Sequence, residues 1–345
     1  MSCSAFQRSV HVPRNAASRW VDHGQWPERV ALEKKPRIFD AFIFSGEVEL
    51  LETRLHVLSH VVDVFVIVEA DVVFSGQYPR RLVFPETTRR WGAFLERIHF
   101  RSIRAQDDPR DAYWCGLSLD GQRNKSKAVS CERYIRGSLL RQVLTAGARP
   151  DDILVLSDVD EIPRPELLQP FRDCAIFDSE NDLAARPTVL ALLATTYMFD
   201  VGCLAGDDRW AYGPKVGAVF QFDTHRDEPW RLECGMNFHR WETSGPSVAN
   251  ASWHLTNFMS PEQLALKLEG FAHFQDFSKS DRSTAKLARH MAKCSSPYPK
   301  KYKNMHRRPP KLGPSSHDAL SYIHQHFPQL RARNATEKFL RSATR

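Results

Sequence analysis

The chain has 345 residues, 42% hydrophobic and 26% charged, with a formal net charge of +7 and 14 histidines. That composition excludes a disordered polymer and fits one large α/β domain or two small ones. No apolar run reaches the roughly 18 residues a membrane span needs, and the positive charge favours anionic partners such as phosphates without gathering into a nucleic-acid face.

Residues 1–36 are polar and lack periodicity, so a loose N-terminal arm is expected, with Trp20 and Trp26 able to dock on the body. The first twenty residues, MSCSAFQRSVHVPRNAASRW, hold no apolar centre for a signal peptide. Residues 37–44 (RIFDAFIF) predict a first strand. Ser45-Gly46-Glu47 predicts a turn and helix start, after which Leu51, Leu55 and Leu58 recur at helical spacing. Residues 62–69 (VDVFVIVE) predict a second buried strand that closes on Glu69. This β-α-β order predicts an α/β fold with a mainly parallel sheet flanked by helices, whose ligands bind beyond the strand carboxyl ends. Residues 98–103 predict a third strand, and 107–127 a polar, turn-rich loop containing Trp114. In residues 131–143, Ile135, Leu139 and Val143 repeat every four positions. An amphipathic helix follows, with Glu132 and Arg136 at ion-pair spacing and Gly147 as its stop.

The stretch 151–165 (DDILVLSDVDEIPRP) is the centre of the reading. Its apolar run, 153–156, ends in Asp158, Asp160 and Glu161, and Pro163 and Pro165 forbid a continuing ladder. A buried central strand stopping at a sheet's carboxyl edge has this pattern. Alternation in an extended strand end points Asp158 and Asp160 the same way. Two carboxylates so aimed repel unless a cation lies between them. Oxygen ligands suit Mg2+ or Mn2+, which complete their shells with water and phosphate. A metal-diphosphate site is therefore expected here.

Beyond it, PELLQPFRD predicts a helical segment, 187–199 a strand, 210–222 extended structure with bends, and 248–255 a further extended stretch carrying Trp253-His254. Ser260-Pro261-Glu262-Gln263 has the form of a capping box with proline in the first turn. The helix it starts turns Leu264, Leu268 and Phe271 inward and presents Lys267. Residues 281–293 and 318–327 predict two more helices, separated by a basic loop, 294–316. Seven cysteines, at 3, 115, 131, 174, 203, 234 and 294, show no C-x-x-C and an odd count, so free thiols in a reducing compartment are expected. Without a visible secretion signal, the sequons at Asn124, Asn250 and Asn334 are expected to be chance.

DVFVIVEADVVFSGQYPRRLVF (63–84), CERYIRGSLL (131–140), DDILVLSDVDEIP (151–163) and ASWHLTNFMSPEQLALKLEGFAHF (251–274) occur in an order that resembles glycosyltransferase family 17 over roughly residues 37–290. The resemblance implies a GT-A-type nucleotide-sugar fold and an inverting transfer of N-acetylglucosamine from UDP-GlcNAc to a hydroxyl of a glycan or glycoconjugate. It also implies a divalent metal, Mn2+ or Mg2+. It divides the chain into the arm 1–36, a single catalytic domain 37–293, and a basic loop with C-terminal helix, 294–345. Within the domain, 37–163 is the nucleotide-binding half and 164–293 the acceptor half.

The family's acidic motif falls on Asp158, Asp160 and Glu161, its strand-end acid on Glu69, its helix arginine on Arg136 and its Trp-His on Trp253-His254. Its downstream lysine and histidine fall on Lys267 and His273. On this resemblance Asp160 is a direct metal ligand, Asp158 binds metal through water or orients the ribose, and His254 is a third ligand. Glu69 meets uridine or ribose, Arg136 and Lys267 hold phosphate oxygens, and His273 joins the donor set. For the general base Glu161, Asp207, Asp208, Glu242 and Asp276 are candidates that no spacing separates, with Glu161 preferred for its place beside the metal acids. Secreted animal members carry cysteines where this chain has Leu255 and Phe258, and their Golgi membrane anchor is not seen here. A soluble, cytoplasmic protein is therefore expected.

Two other readings use the same residues. A haloacid-dehalogenase-like phosphatase would use Asp158 and Asp160, but it wants Thr or Val where Ile162 stands, and Asp207-Asp208 follows no apolar strand. A non-catalytic glycan- or RNA-binding module would use the basic loop with Tyr298 and Tyr302, which lacks a nucleic-acid motif.

Overall fold

Residues 38–44 alternate Phe, Ala and Ile on one side with Ile, Phe and Phe on the other, so the segment demands an apolar layer on each face. The structure, a computed structural model that describes residues 1–11, 35–117, 125–174, 189–210, 213–222, 246–270, 274–298, 302, 304–313 and 317–331, supplies both layers. Its strands are β1 Val10–His11, β2 Ile38–Phe44, β3 Val64–Ala70, β4 Ile98–Ile103, β5 Ile153–Asp158, β6 Glu161–Pro163, β7 Leu190–Met198, β8 Cys203–Trp210, β9 Lys215–Ala218, β10 Ser247–Thr256 and β11 His306–Arg307. Its helices are α1 Cys3–Ser9, α2 Val48–Leu58, α3 Val83–Glu86, α4 Pro109–Cys115, α5 Lys125–Thr145, α6 Gln169–Asp173, α7 Val219–Phe222, α8 Pro261–Gly270, α9 Thr284–Lys293 and α10 Ala319–His326.

Ile38, Phe42 and Phe44 of β2 pack with Leu51, Leu55 and Leu58 of α2. Phe39, Ala41 and Ile43 pack with Ile135, Leu139 and Val143 of α5 on the other face. Each fully buried Phe, Ile or Leu among them contributes about 1.5–3 kcal/mol. Gly147, at φ +80°, closes α5 in the left-handed conformation that other residues resist.

Among the described residues one eleven-stranded sheet has the main path β1-β10-β7-β9-β5-β2-β3-β4, with β6 added on β10, β8 on β7 and β11 on β8. The block β5-β2-β3-β4 is parallel throughout, as the β-α-β reading requires. Past β5 the sheet is mixed: β9 runs antiparallel to β5 and β7, β6 antiparallel to β10, and β7 parallel to β10. The expected mainly parallel sheet is thus corrected to a mixed one. The reason is connection length: β6 leaves β5 after one tight turn, and β8 follows β7 after another, too short for a parallel crossover.

Four further expectations are corrected. Residues 1–11 are not a loose arm. Ser2 caps α1 by accepting from the Ala5 amide, Phe6 is fully buried edge-on against Phe171, and β1 joins the edge of β10. Trp20 and Trp26 lie outside the described residues. Six of the seven cysteines are not free thiols: Cys3–Cys174, Cys115–Cys131 and Cys203–Cys294 are disulfides, pairings across 171, 16 and 91 positions that only the fold brings together, and Cys234 lies outside the described residues. The loop 107–127 holds a helix, α4, whose N-terminus Asp108 caps through the Arg110 and Asp111 amides. The bends expected in 210–222 resolve into β9 and α7.

Candidate active site

Alternation along β5 sends Leu154 and Leu156 toward the α5 layer, and Ile153 and Val155 toward the α2 layer. Ser157 continues the second series and meets Arg54 of α2, while Asp158 continues the first and meets Arg136 of α5. The strand stops there. The chain turns through Val159-Asp160 and returns as β6, antiparallel to β10, with Glu161 opposite His254 and Ile162 opposite Trp253. The Leu255 amide donates to the Asp160 carbonyl at 2.7 Å and locks the turn to β10. The turn therefore breaks the alternation expected between Asp158 and Asp160. Arg136 forks onto Asp158 and Lys267 lies 4.0 Å from Asp160, but the Lys267 charge acts on both carboxyls, which are close enough that the charge of Asp158 raises the pKa of Asp160. Pairing of β6 with β10, at positions far apart in sequence, is what carries the Trp-His to the acids.

Arg136 forks onto Asp158, Nη1 to Oδ1 at 2.6 Å and Nη2 to Oδ2 at 2.9 Å, and also makes the expected pair with Glu132 at 3.1 Å. Burial pushes the Asp158 carboxyl up, but the charge and hydrogen bonds of Arg136 outweigh it and hold it below the usual range. Lys267, on α8, lies 3.3 Å from Glu47 and 4.0 Å from Asp160. The capping box that starts α8 forms as expected, Gln263 accepting from the Ser260 amide and Ser260 from the Gln263 amide. Glu47 reaches the corner because Gly46, at φ +94°, turns the chain sharply after β2. Burial alone would lower Lys267, and Glu47 and Asp160 more than restore it. Asp160 is the opposite case: burial pushes it up to about 7, Lys267 only partly offsetting burial and the charges of Asp158 and Glu47. His254 Nε2 is 3.9 Å from Asp160 Oδ2, and burial drops its pKa to about 3, so the imidazole is neutral.

Behind the turn lies a fully buried ion pair, Arg54 with Asp40 of β2. Arg54 Nε and Nη2 fork onto Asp40 at 2.7 and 2.6 Å, Nη2 also donates to Ser157 Oγ at 2.7 Å, and Nη1 donates to the carbonyls of Asp158 at 2.7 Å and Glu161 at 2.9 Å. All five guanidinium donors are engaged. Glu47, Arg54 and Asp40 are absent from the expected site. For Asp40 and Arg54 the signals were a lone acid inside an apolar strand and a lone cation on the inward face of α2.

The other expected residues are placed as follows. Glu69 is fully buried, and its oxygens accept from the Val83 amide at 2.8 Å, the Phe84 amide at 3.0 Å and Arg80 at 3.3 Å. It thereby secures the first turn of α3, whose amides otherwise lack partners. Glu161 Oε2 accepts from the Asp158 amide at 3.2 Å and closes the acid turn. Asp276 is exposed on a 3-10 turn, Phe274–Asp276. His273 and Glu242 lie outside the described residues, as do the side chains of Asp207 and Asp208. Tyr298 and Tyr302 do not form a solvated basic surface: both pack on the apolar cluster of Leu264, Leu268, Leu287 and Met291. Tyr298 bonds Asn257 at 3.0 Å, and the Tyr302 hydroxyl is raised by burial, then by Tyr298 and the charges of Asp160 and Glu161.

Among the described residues no group of three or more His, Cys, Asp or Glu forms a cage for a metal ion. The donor set at Asp160 and His254 nevertheless fits a divalent cation. A neutral imidazole and a poorly compensated carboxylate 3.9 Å apart lie within two metal–ligand bonds of about 2.1 Å. Asp158 fits less directly, since Arg136 holds both its oxygens.

The family model for glycosyltransferase family 17 matches residues 5–294. The β-1,4-mannosyl-glycoprotein 4-β-N-acetylglucosaminyltransferases of Rattus norvegicus and Homo sapiens are each 25% identical to the chain over 276 residues, 75% of this chain, covering 47% and 48% of their own lengths. That of Mus musculus is likewise 25% identical, with 47% of its length covered. The chain thus spans about half the length of the curated relatives it matches. No helix among the described residues is long and apolar enough to cross a membrane. The match runs from α1 through the parallel strands, the acid turn, the Trp-His and the lysine-bearing helix to Cys294, so it takes in the acid turn and the charged side chains gathered around it, and the chain belongs to glycosyltransferase family 17.

Proposed function

We propose that the chain transfers N-acetylglucosamine from UDP-GlcNAc to a glycan hydroxyl, with inversion, in a GT-A-type fold that uses Mn2+ or Mg2+ at Asp160 and His254. The observation that carries this reading is the charge arrangement where β5 ends. Two cations, Arg136 and Lys267, face two acids, Asp158 and Asp160, in a corner bounded by the carboxyl ends of β2, β5 and β10. Such a corner suits a diphosphate and its counter-ion. The names of the relatives support the choice of sugar.

When bound, the cation would neutralise charge building on the departing diphosphate. Lys267 brings a second positive charge to the same place, and Arg136 offers a planar fork that suits phosphate as well as carboxylate. The acceptor oxygen bonds to the anomeric carbon as the carbon–oxygen bond to diphosphate breaks. UDP leaves with the electron pair, and the hydroxyl proton passes to a base. Glu161, turned onto the Asp158 amide, fits this scheme as a turn residue rather than as that base. On this reading residues 37–163 carry the donor and 164–293 the acceptor, with His254 and Lys267 reaching across. Three disulfides suit an oxidising compartment, where a glycoprotein acceptor is also found, so we place maturation of the chain there rather than in the cytoplasm.

The test is incubation with UDP-GlcNAc, Mn2+ and a glycan panel, read by mass spectrometry. A gain of one N-acetylhexosamine, lost when EDTA is added, is expected. Gain from a different nucleotide sugar alone, or turnover of p-nitrophenyl phosphate without sugar transfer, would overturn the reading. The family match leaves that phosphatase alternative without support.

A further inference from the structure

We infer that Arg54 is the positioning residue of the acid turn: by gathering the carbonyls of Asp158 and Glu161 it fixes where Asp160 presents its carboxylate, and so sets the affinity for cation and diphosphate. The inference rests on the proposed reading of the site. Between β5 and β6 the backbone reverses so tightly that the carbonyls of residues 158 and 161 point inward, away from any ladder partner. Buried carbonyls without a donor are costly. Arg54 meets both from one side chain, with Val159 O at a longer 3.4 Å, and Asp40 neutralises the cation. The Phe42 ring lies 4.3 Å beneath the guanidinium and fixes its plane. With those carbonyls held inside, the side chains of Asp158 and Asp160 are left to the crevice. Arg54 is fully buried, so it acts through the turn and not on the substrate.

Lysine keeps the charge against Asp40 but cannot reproduce a five-donor fork. The test compares wild type with Arg54→Lys by hydrogen exchange and by calorimetric titration of Mn2+ with UDP. At least a tenfold faster exchange over residues 158–162 and at Leu255 is expected, with β3 unchanged, together with at least a tenfold loss of Mn2+–UDP affinity. Wild-type exchange in the turn of Arg54→Lys would overturn the inference. If wild type binds neither Mn2+ nor UDP while the variant still loosens the turn, the proposed function falls and the positioning role stands. Should Arg54→Lys not fold, Ser157→Ala removes a single partner of Arg54. About fivefold faster exchange confined to the turn is then expected, and an unchanged turn overturns the inference.

A separate observation carries a second proposal. We propose that Asn250 bears an N-linked glycan when the chain is made in a secretory pathway. Its sequon, Asn250-Ala251-Ser252, falls where β10 bulges against β7, between Val248 and Ser252. Ala249 and Asn250 are the two exposed residues of an otherwise buried strand, and Asn250 adopts φ +51°. Its carboxamide is fixed through Oδ1, which accepts from Arg164 and Thr195 at 3.0 Å each, and not through the nitrogen that would carry the sugar. The three disulfides call for the same oxidising route. The full chain, made behind a cleaved secretion leader in a eukaryotic host, is treated with peptide N-glycosidase in heavy-oxygen water and mapped by mass spectrometry. Heavy-oxygen aspartate at position 250, lost in Asn250→Gln, is expected; an unmodified Asn250 overturns the proposal.

Discussion

Replacing Asp160 with asparagine should stabilise the metal-free protein while removing its cation site. Burial, with the charges of Asp158 and Glu47, pushes the Asp160 carboxyl from an ordinary 3.8 up to about 7. Between those two values the unfolded chain has lost this proton and the folded chain keeps it. Stability must therefore fall as pH rises from about 4 to about 7, and the full penalty applies above 7. About three pH units at 1.36 kcal/mol each give ~4 kcal/mol. Asparagine carries none of that charge, and the pull of Lys267, which it also gives up, is already counted in that net shift. The expected gain is ~4 kcal/mol at pH 8 and close to nothing at pH 4; with an unfolding entropy of about 2.1 cal/mol/K per residue over 345 residues, that is a rise in Tm of about 5–6 °C at the higher pH. Differential scanning fluorimetry of wild type and Asp160→Asn in EDTA, from pH 4 to 8, measures this directly. A gain that does not grow with pH, or a loss at pH 8, would refute the reasoning. Adding Mn2+ and UDP should raise the wild-type Tm and leave the variant unmoved.

Arg136→Met should cost ~1–3 kcal/mol in urea denaturation, below the figure for a fully buried pair because Arg136 and Asp158 are 28% and 35% exposed, and should weaken UDP at least tenfold by calorimetry. Glu69→Gln should lower stability by ~1–3 kcal/mol through the Val83 and Phe84 amides and leave UDP affinity unchanged. A tenfold loss of affinity without loss of stability would return Glu69 to the donor site. Cys203→Ser should lower stability by up to ~4–5 kcal/mol, since the Cys203–Cys294 bond closes 91 positions. Thiol titration of the unreduced, denatured wild type should find at most one free thiol, Cys234.

The parallel block was legible because each of β2, β3 and β5 is a short apolar run closed by an acid or a turn, a pattern that sequence periodicity reads well. The acids at the end of β5 and the lysine-bearing helix were legible for the same local reason. What was not legible depends on long-range pairing. The disulfides join residues up to 171 positions apart, and spacing alone cannot reveal which cysteines meet. The turn at Asp160 broke the alternation because β6 pairs with β10, a contact fixed by register and not by composition. Arg54 and Asp40 were visible only as charges in the wrong place, one in an apolar strand and one among the inward leucines of α2. Glu69 was ambiguous because an acid at a strand end suits a ligand and a helix start equally well; its oxygens meet the first amides of α3, and the affinity test above decides whether it also serves the donor.

Electron paramagnetic resonance of Mn2+ titrated with UDP and the protein tests the central claim most directly. The account predicts that wild type depletes the free-ion signal when UDP is present, and that Asp160→Ala does not. Equal depletion by both proteins would contradict it.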